Sequence, residues 1–385
     1  MRGTGLLYTA GEKTEDSGTS GLLQCVTAEG MFGISPLFCQ ERSTDLNTQL
    51  LEANELNILE AARLLRDGKV VAFPTETVYG LGADALNVQA VQGIFIAKQR
   101  PADNPLIIHI AQTSQAQDLC GWTENAQLLA DAFWPGPLTL VLHKKATVPE
   151  IVTAGLSSVA IRMPGHAVAL QLIQAANLPI AAPSANSSGR PSPTTAQHVL
   201  DDMQGRIPMI LDGGSCEVGL ESTVLDIRGD VATVLRPGAV TPDQIAFIIG
   251  ECQVADSVMR PLRPGEPALS PGMRHRHYAP KSRLVLVEGG ELAVARTICQ
   301  AYDAVPGTRI MAMHGHLPLY GSRLVDDLGP DAGTAAQRLF YLLRAYDEQN
   351  AVQIFSETLP PTGLGLAVMN RLARAAKFDI IHAGV

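Results

Sequence analysis

The chain has 385 residues, a length that suits two domains of roughly 150 residues with a tail and buries a core without disulfide or metal staples. Hydrophobic residues make up 46% and charged residues 17%, which excludes a disordered chain, and the net charge of −9 argues against a protein whose main task is gripping a phosphate backbone. The six cysteines include no C-x-x-C pair, so a zinc ribbon or redox motif has no support. No apolar run approaches the roughly 18 residues that span a bilayer, and no basic segment leads into an apolar core at the start, so a cytoplasmic protein with no membrane partner is expected.

Residues 1–50 are expected to form a disordered N-terminal extension, because the run 11–21 (GEKTEDSGTSG) is polar and turn-rich; Met31 inside it is a candidate start of translation. From Asn54 the residues Leu56, Leu59, Ala62, Leu64 and Leu65 fall at helical spacing, with Gly68 as the stop. Residues 70–73 predict a short buried strand that runs into 74–82, a loop full of hydroxyls and glycines. Asn87 is placed to cap a helix carrying Val88, Val91, Ile94 and Phe95. Strands follow at 106–110, 138–142, 159–163, 180–182, 209–211, 223–227 and 232–235, with helical stretches such as 128–133 between several of them, so the expected fold class is α/β with a mixed sheet. Pro261, Pro264, Pro267 and Pro271 then make a stiff, extended linker. Beyond it, strands at 284–287, 309–313 and 352–355 and helices at 335–346 and 364–377 predict a small Rossmann-like second domain. The expected boundaries are 51–252 for the first domain, 253–282 for the linker and 283–385 for the second domain.

Common nucleotide and metal signatures are missing: there is no P-loop, no completed dinucleotide fingerprint and no H-E-x-x-H, and the pairs His275/His277 and His314/His316 lack further ligands at metal spacing. What remains is a set of polar residues where apolar strands end. Lys98 and Arg100 close the helix from Asn87, either as complement to the helix dipole or as a phosphate clamp. His109 sits in the apolar run LIIHI, as a satisfied core histidine or a site group. Small and hydroxylic residues follow the strand ending at Ala182, either as an ordinary turn or as a loop whose amides approach a ligand. Arg162 in VAIRM and Arg236 in LRPG each need an anion, structural or from a ligand. Together these features point to a ligand with several negative charges.

The segments FPTETVYGLGADA (73–85), KQRPADNPLIIHI (98–110), FWPGPLTLVL (133–142), VAIRMP (159–164), PIAAPSANSSGRPSPT (179–194), ESTVLD (221–226) and LRPG (235–238) resemble, in order, the YrdC-type threonylcarbamoyl-AMP synthases. The resemblance covers residues 54–250. It continues through SPGMRHRHYAPK (270–281), similar to the linker of the longer family members, and GLGLAVMNRLARAA (363–376), similar to the end of their additional C-terminal domain.

The family fold implies a YrdC-like twisted mixed sheet with a positive concave cleft. The implied reaction is that of a nucleotidyltransferase: L-threonine, bicarbonate and ATP give threonylcarbamoyl-adenylate and pyrophosphate. Mg²⁺ would accompany ATP, with no protein metal site expected. A separate transferase complex would carry the product to the tRNA adenosine beside the anticodon, with weak tRNA contact by this chain. Position by position, the resemblance assigns Lys98 and Arg100 to catalysis, and Thr77, His109, Arg162, Ala182 and Ser222 to threonine. It assigns Arg100, Asn104, Ser158, Ser184, Asn186, Ser192, Arg236 and Tyr278 to ATP, with Tyr278 folding back from the linker over the nucleotide. Two other readings compete: an RNA-binding or ribosome-associated module without catalysis, and an enzyme making carbamoyl-adenylate from carbamoyl phosphate.

Overall fold

A computed structural model of the chain describes residues 46–263 and 278–384, with Glu266, Ala268 and Ser270 between them. The expectations for residues 1–45, for His275 and His277, and for Pro264, Pro267 and Pro271 lie outside the described residues.

The chain opens with β1 (Gln49–Glu52), α1 (Glu55–Arg66), β2 (Val71–Phe73), β3 (Gly80–Asp84), α2 (Val88–Lys98), β4 (Ile107–His109), α3 (Thr113–Leu119) and α4 (Glu124–Phe133). It continues with β5 (Leu138–His143), α5 (Glu150–Thr153), β6 (Ser158–Arg162), α6 (Ala167–Ala176), β7 (Ile180–Ala182) and α7 (Ala196–Met203). The first domain closes with β8 (Met209–Asp212), β9 (Thr223–Asp226), β10 (Ala232–Arg236), α8 (Pro242–Ile249) and β11 (Cys252–Val254). These strands form one 11-stranded mixed sheet in the order β1-β8-β2-β3-β7-β4-β6-β5-β9-β10-β11. One apolar cluster, with α2, α4, α7 and α8, covers one side of it, and a second cluster, with α1 and α6, covers the other.

Local chemistry accounts for most of the element ends. Asn54 and Asn87 accept from the first-turn amides of α1 and α2, as a cap must. The helix α1 is where expected, but its buried face is Ile58, Ala61, Ala62 and Leu65, whereas Leu56 and Leu59 face solvent. The glycine-rich stretch after Phe73 holds a strand as well as a loop. A Cβ on Gly82 would lie 2.7 Å from the Phe73 ring and 2.7 Å from Ile180, so the glycine that suggests a turn is what lets β3 pack between its neighbours. The expected domain limits at 50 and 252 fall inside strands, because β1 pairs with β8 and β11 extends the sheet beside β10.

The second domain comprises β12 (Arg283–Gly289), α9 (Glu291–Ala304), β13 (Thr308–Ala312), β14 (Val325–Asp327), α10 (Ala332–Glu348), β15 (Gln353–Glu357), α11 (Leu364–Ala375) and β16 (Ile380–Ala383). Its five strands are all parallel, in the order β14-β13-β15-β12-β16. One apolar cluster lies on the α9 side. The cluster on the α10 and α11 side is shared with the first domain, because Val78, Leu220 and Tyr278 pack among Leu339, Phe340 and Leu343. The Nδ1 atoms of His314 and His316 lie 2.8 Å from the carboxylates of Asp327 and Glu357 at the ends of β14 and β15. Among the described residues no helix is long and apolar enough to cross a membrane.

Polar contacts tie the domains as firmly as the shared core. Arg344 of α10 donates to Asp202 at 2.9 Å and to the Pro191 carbonyl at 2.6 Å. Arg371 of α11 donates to Glu221 at 2.7 Å, and both arginines are fully buried. Gly219 marks a close backbone approach between the domains: at φ +79°, a Cβ there would meet Gln337 Cα of α10 at 2.5 Å. Gly219→Ala should therefore lower stability by at least about 2 kcal/mol, from left-handed backbone strain plus a clash with helix backbone. Urea unfolding checks this; an unchanged midpoint would mean that α10 does not pack there.

Candidate active site

The sheet brings the polar residues at its strand ends to one place. In the β4–β6 ladder His109 lies opposite Arg162, and in the β4–β7 ladder Ile107 lies opposite Ala182, so three strands deliver neighbouring groups to one end. Thr75 folds the turn before β3: its hydroxyl accepts from the amides of Thr77 and Val78 and contacts the Thr77 hydroxyl at 2.8 Å. Gly80 forms a bridge to Ser184, closing this turn against the segment after β7.

The result is a single cleft. Of the residues assigned from the sequence, Thr77, Arg100, His109, Arg162, Ala182, Ser184, Asn186, Ser192, Ser222, Arg236 and Tyr278 line it together. Residues the sequence reading did not assign line it too, notably Thr75, Arg190 and Glu221. Among the described residues, four arginines therefore face the space against one carboxylate, Glu221.

Each arginine is held differently. Arg162 donates from Nη1 to the Thr77 hydroxyl at 3.0 Å and from Nε to the Gly136 carbonyl at 3.2 Å, and its Nη2 lies 2.7 Å from the carboxylate of Glu76. Arg236 clasps Ser222, donating to its carbonyl at 3.1 Å and its hydroxyl at 3.2 Å. Arg190 pairs with Asp202. Arg100 donates to the Asn104 carbonyl at 3.0 Å, and its Nε is buried with no hydrogen bond. Burial pushes Arg100 down to about 10, partly offset by the negative field of Asp103. Burial likewise lowers Arg236. A buried cation such as Arg100, whose Nε has no hydrogen bond, fits an anion that brings its own charge.

Three assigned residues do not line the cleft. Lys98 does not face it as a phosphate clamp: its side chain runs beneath the turn after β7, where Nζ donates to the carbonyls of Ser184 and Asn186. Burial first, and then the charge of Arg100, hold its ammonium well below the usual lysine range. It braces Ser184 and Asn186, whose side chains meet at 2.5 Å. Asn104 lies behind Arg100, and neither atom of its buried side-chain amide has a hydrogen bond. Ser158 is buried at the start of β6, opposite His143 of β5.

His109 is buried with Nδ1 unpartnered, and Tyr278 stacks on Phe340 of α10 with ring centroids 5.3 Å apart. Glu221 accepts from the Ser192 hydroxyl and from Arg371. Burial alone would raise its carboxyl, but Arg371, Arg236 and Ser192 overcome that and hold it below the ordinary glutamate range.

An α/β cleft built at strand ends, lined by arginines and hydroxyls and backed by a second α/β domain, is the architecture that the sequence resemblance implied, that of a two-domain protein of the Sua5/YciO/YrdC class. Residues 63–238 match the model of that family, described as "Telomere recombination", and residues 240–377 match the one described as "Threonylcarbamoyl-AMP synthase, C-terminal domain". A threonylcarbamoyl-AMP synthase of Bacillus subtilis is 46% identical over 87% of this chain and 97% of its own length. One from Pyrococcus abyssi is 46% identical over 85% of this chain and 96% of its own. The crystal structure of P. abyssi Sua5 complexed with L-threonine superposes with a TM-score of 0.80 at 44% identity, covering 88% of this chain and 99% of that one. The chain belongs to the threonylcarbamoyl-AMP synthase family, in its two-domain form, and is an enzyme of nucleotidyltransferase type.

Two histidines give the protein a calculable acid response. Burial first, and then Arg162, lower His109 to about 3; burial first, and then Arg344, lower His198 to about 4. The unfolded chain takes up these protons near pH 6.5 while the folded chain refuses them, so the folded state binds fewer protons between about pH 6.5 and 4. Stability should fall as pH drops through that window and be insensitive to these groups above it. His109→Asn should reduce the slope of unfolding free energy against pH in urea melts; an unchanged slope would show that His109 is protonated in the folded chain.

Proposed function

We propose that the cleft makes L-threonylcarbamoyl-adenylate from L-threonine, bicarbonate and ATP, releasing pyrophosphate, and that the product serves threonylcarbamoyl modification of the tRNA adenosine beside the anticodon. The observation that carries this reading is the convergence of Arg100, Arg162, Arg190 and Arg236 on one cleft in a chain of net charge −9. The relatives, matched along nearly their whole length, favour it over the carbamoyl-phosphate and RNA-binding readings.

The reaction sets anion against anion, since a threonine carbamate oxygen must attack the α-phosphorus of ATP while pyrophosphate leaves. Positioning and electrostatic stabilisation are what such a step needs. In this reading Arg162, steered by Glu76 and Thr77, takes the threonine carboxylate through its planar fork. Thr77, His109, Ala182 and Ser222 complete the threonine pocket, with His109 neutral. Arg100, Ser184, Asn186, Ser192, Arg236 and Tyr278 receive ATP. Lys98 acts from below, fixing the carbonyls that orient Ser184 and Asn186. Asn104 and Ser158 support the wall. Mg²⁺ is proposed to enter as part of the ATP substrate, held mainly by phosphate oxygens and water. A separate transferase would consume the adenylate in the cytoplasm, with at most weak tRNA contact by this chain.

Threonine-dependent release of pyrophosphate from ATP tests the reading. Arg100→Ala should lower kcat/KM about 30-fold or more, the effect of roughly 2 kcal/mol of lost stabilisation of a developing anion. Near-normal release by this variant would misplace the site. Threonine should exceed valine by about four orders of magnitude in kcat/KM, because a pocket built around a hydroxyl leaves polar groups unpaired when the hydroxyl is missing. Comparable rates would count against a threonine pocket.

A further inference from the structure

The deepest contact between the domains ends at the wall of the cleft. Arg371, on α11 of the second domain, donates from Nε to Glu221 Oε2 at 2.7 Å and from Nη2 to the Glu221 carbonyl at 3.3 Å. Its Nη1 is fixed by Asn370 at 2.7 Å, and its guanidinium lies 5.6 Å from the centre of the Tyr278 ring. The other oxygen of Glu221 accepts from the Ser192 hydroxyl. Glu221, Ser192 and Tyr278 all line the cleft, whereas Arg371 sits behind it.

Glu221 is the one carboxylate among the described lining residues, and in the reading above that cleft receives a triphosphate. An uncompensated carboxylate there would repel ATP, most strongly in the low dielectric of a buried wall. Among the described residues, the groups whose charge or hydrogen bonds bear on Glu221 are Arg371 from α11, Arg236 from the end of β10, Lys98 from the end of α2, Tyr278, and Ser192 from the segment after β7. Of the cations, Arg236 clasps Ser222 and Lys98 is turned to the carbonyls of Ser184 and Asn186. The salt bridge to Glu221 comes from Arg371.

We propose that Arg371 is a positioning residue for the first domain's reaction: it neutralises Glu221 and thereby holds Ser192 and the Tyr278 ring for ATP, so that nucleotide binding requires the second domain to be docked. The inference rests on the proposed function. It assigns the second domain a share in the active site, made through one side chain that touches no substrate. Burial favours the protonated form of Glu221 and Arg371 opposes it, so removing Arg371 should let the carboxyl titrate upward.

The test measures KM for ATP and for threonine in the full chain by pyrophosphate release. Arg371→Met should raise the ATP KM about tenfold or more and leave the threonine KM within about threefold, the split expected for repulsion of one substrate. As the pH is lowered from 8 to 6, the ratio of the variant's ATP KM to that of the unaltered chain should shrink, because Glu221 regains a proton. The double variant Arg371→Met with Glu221→Gln removes both charges and should return the ATP KM to within about threefold. If the single variant fails to fold by circular dichroism, the double variant carries the test alone on the same threshold. An unaltered ATP KM in Arg371→Met, a pH-independent ratio, or a tenfold loss that persists in the folded double variant would each overturn the inference. If the unaltered chain shows no threonine-dependent release, the proposed function fails and takes this inference with it, an outcome distinct from those three.

Discussion

Removing a carboxylate from water is costly unless a cation comes with it, and in this chain the other domain sends such a cation to each of two buried carboxylates: Arg371 to Glu221, and Arg344, beside Arg190, to Asp202. Arg371 and Arg344 project from α11 and α10, which pack against each other, and neither side chain is exposed. Breaking one such pair by removing a single partner typically costs about 3–5 kcal/mol, because a buried charge is left behind. The two domains are thus joined by pairing requirements as well as by the apolar cluster around Phe340. Gly219 lets the backbones come close enough for those pairs to form.

The same logic explains how an acidic protein presents a cationic cleft. Long-range repulsion from a net charge of −9 opposes an incoming polyanion, but it is weak beyond a Debye length of roughly 8–10 Å in physiological salt. What governs binding is the local field, and there, among the described residues, four guanidinium groups face one neutralised carboxylate. Arg162 pairs with Glu76 and Arg190 with Asp202, which fixes the direction of these cations without placing those carboxylates on the cleft wall.

Much of the site was legible in the sequence because a polar residue inside an apolar strand has few uses. His109 and Arg162 stand out in LIIHI and VAIRM for that reason, and the ladder between β4 and β6 places them side by side. The partners of these groups were not legible. Glu76 and Glu221 lie within segments that carried the family resemblance, yet their significance depends on Arg162 and on Arg371, the latter 150 residues further along the chain. The bracing position of Lys98 was not legible beside the phosphate-clamp reading, because sequence spacing does not tell which way the last side chain of a helix turns. Among the strands, β14 and β16 are short and carry Asp326, Asp327 and His382, so their apolar signal is weak. On α1 the expected stripe holds at Ala62 and Leu65 but not at Leu56 and Leu59, which are exposed, because leucine content does not reveal how narrow the covered face is.

Asp202 has a consequence for how this protein can change over generations. One carboxylate receives the Ser187 amide, the Arg190 side chain and the Arg344 side chain, so a cleft residue, a cleft loop and the second domain all answer to a single codon. A recombination event that imported either domain from a distant relative would have to bring the matching charge at 202 or 344, or leave a buried ion alone. The two halves of the gene therefore travel together most safely, and drift at these positions is permitted mainly in pairs.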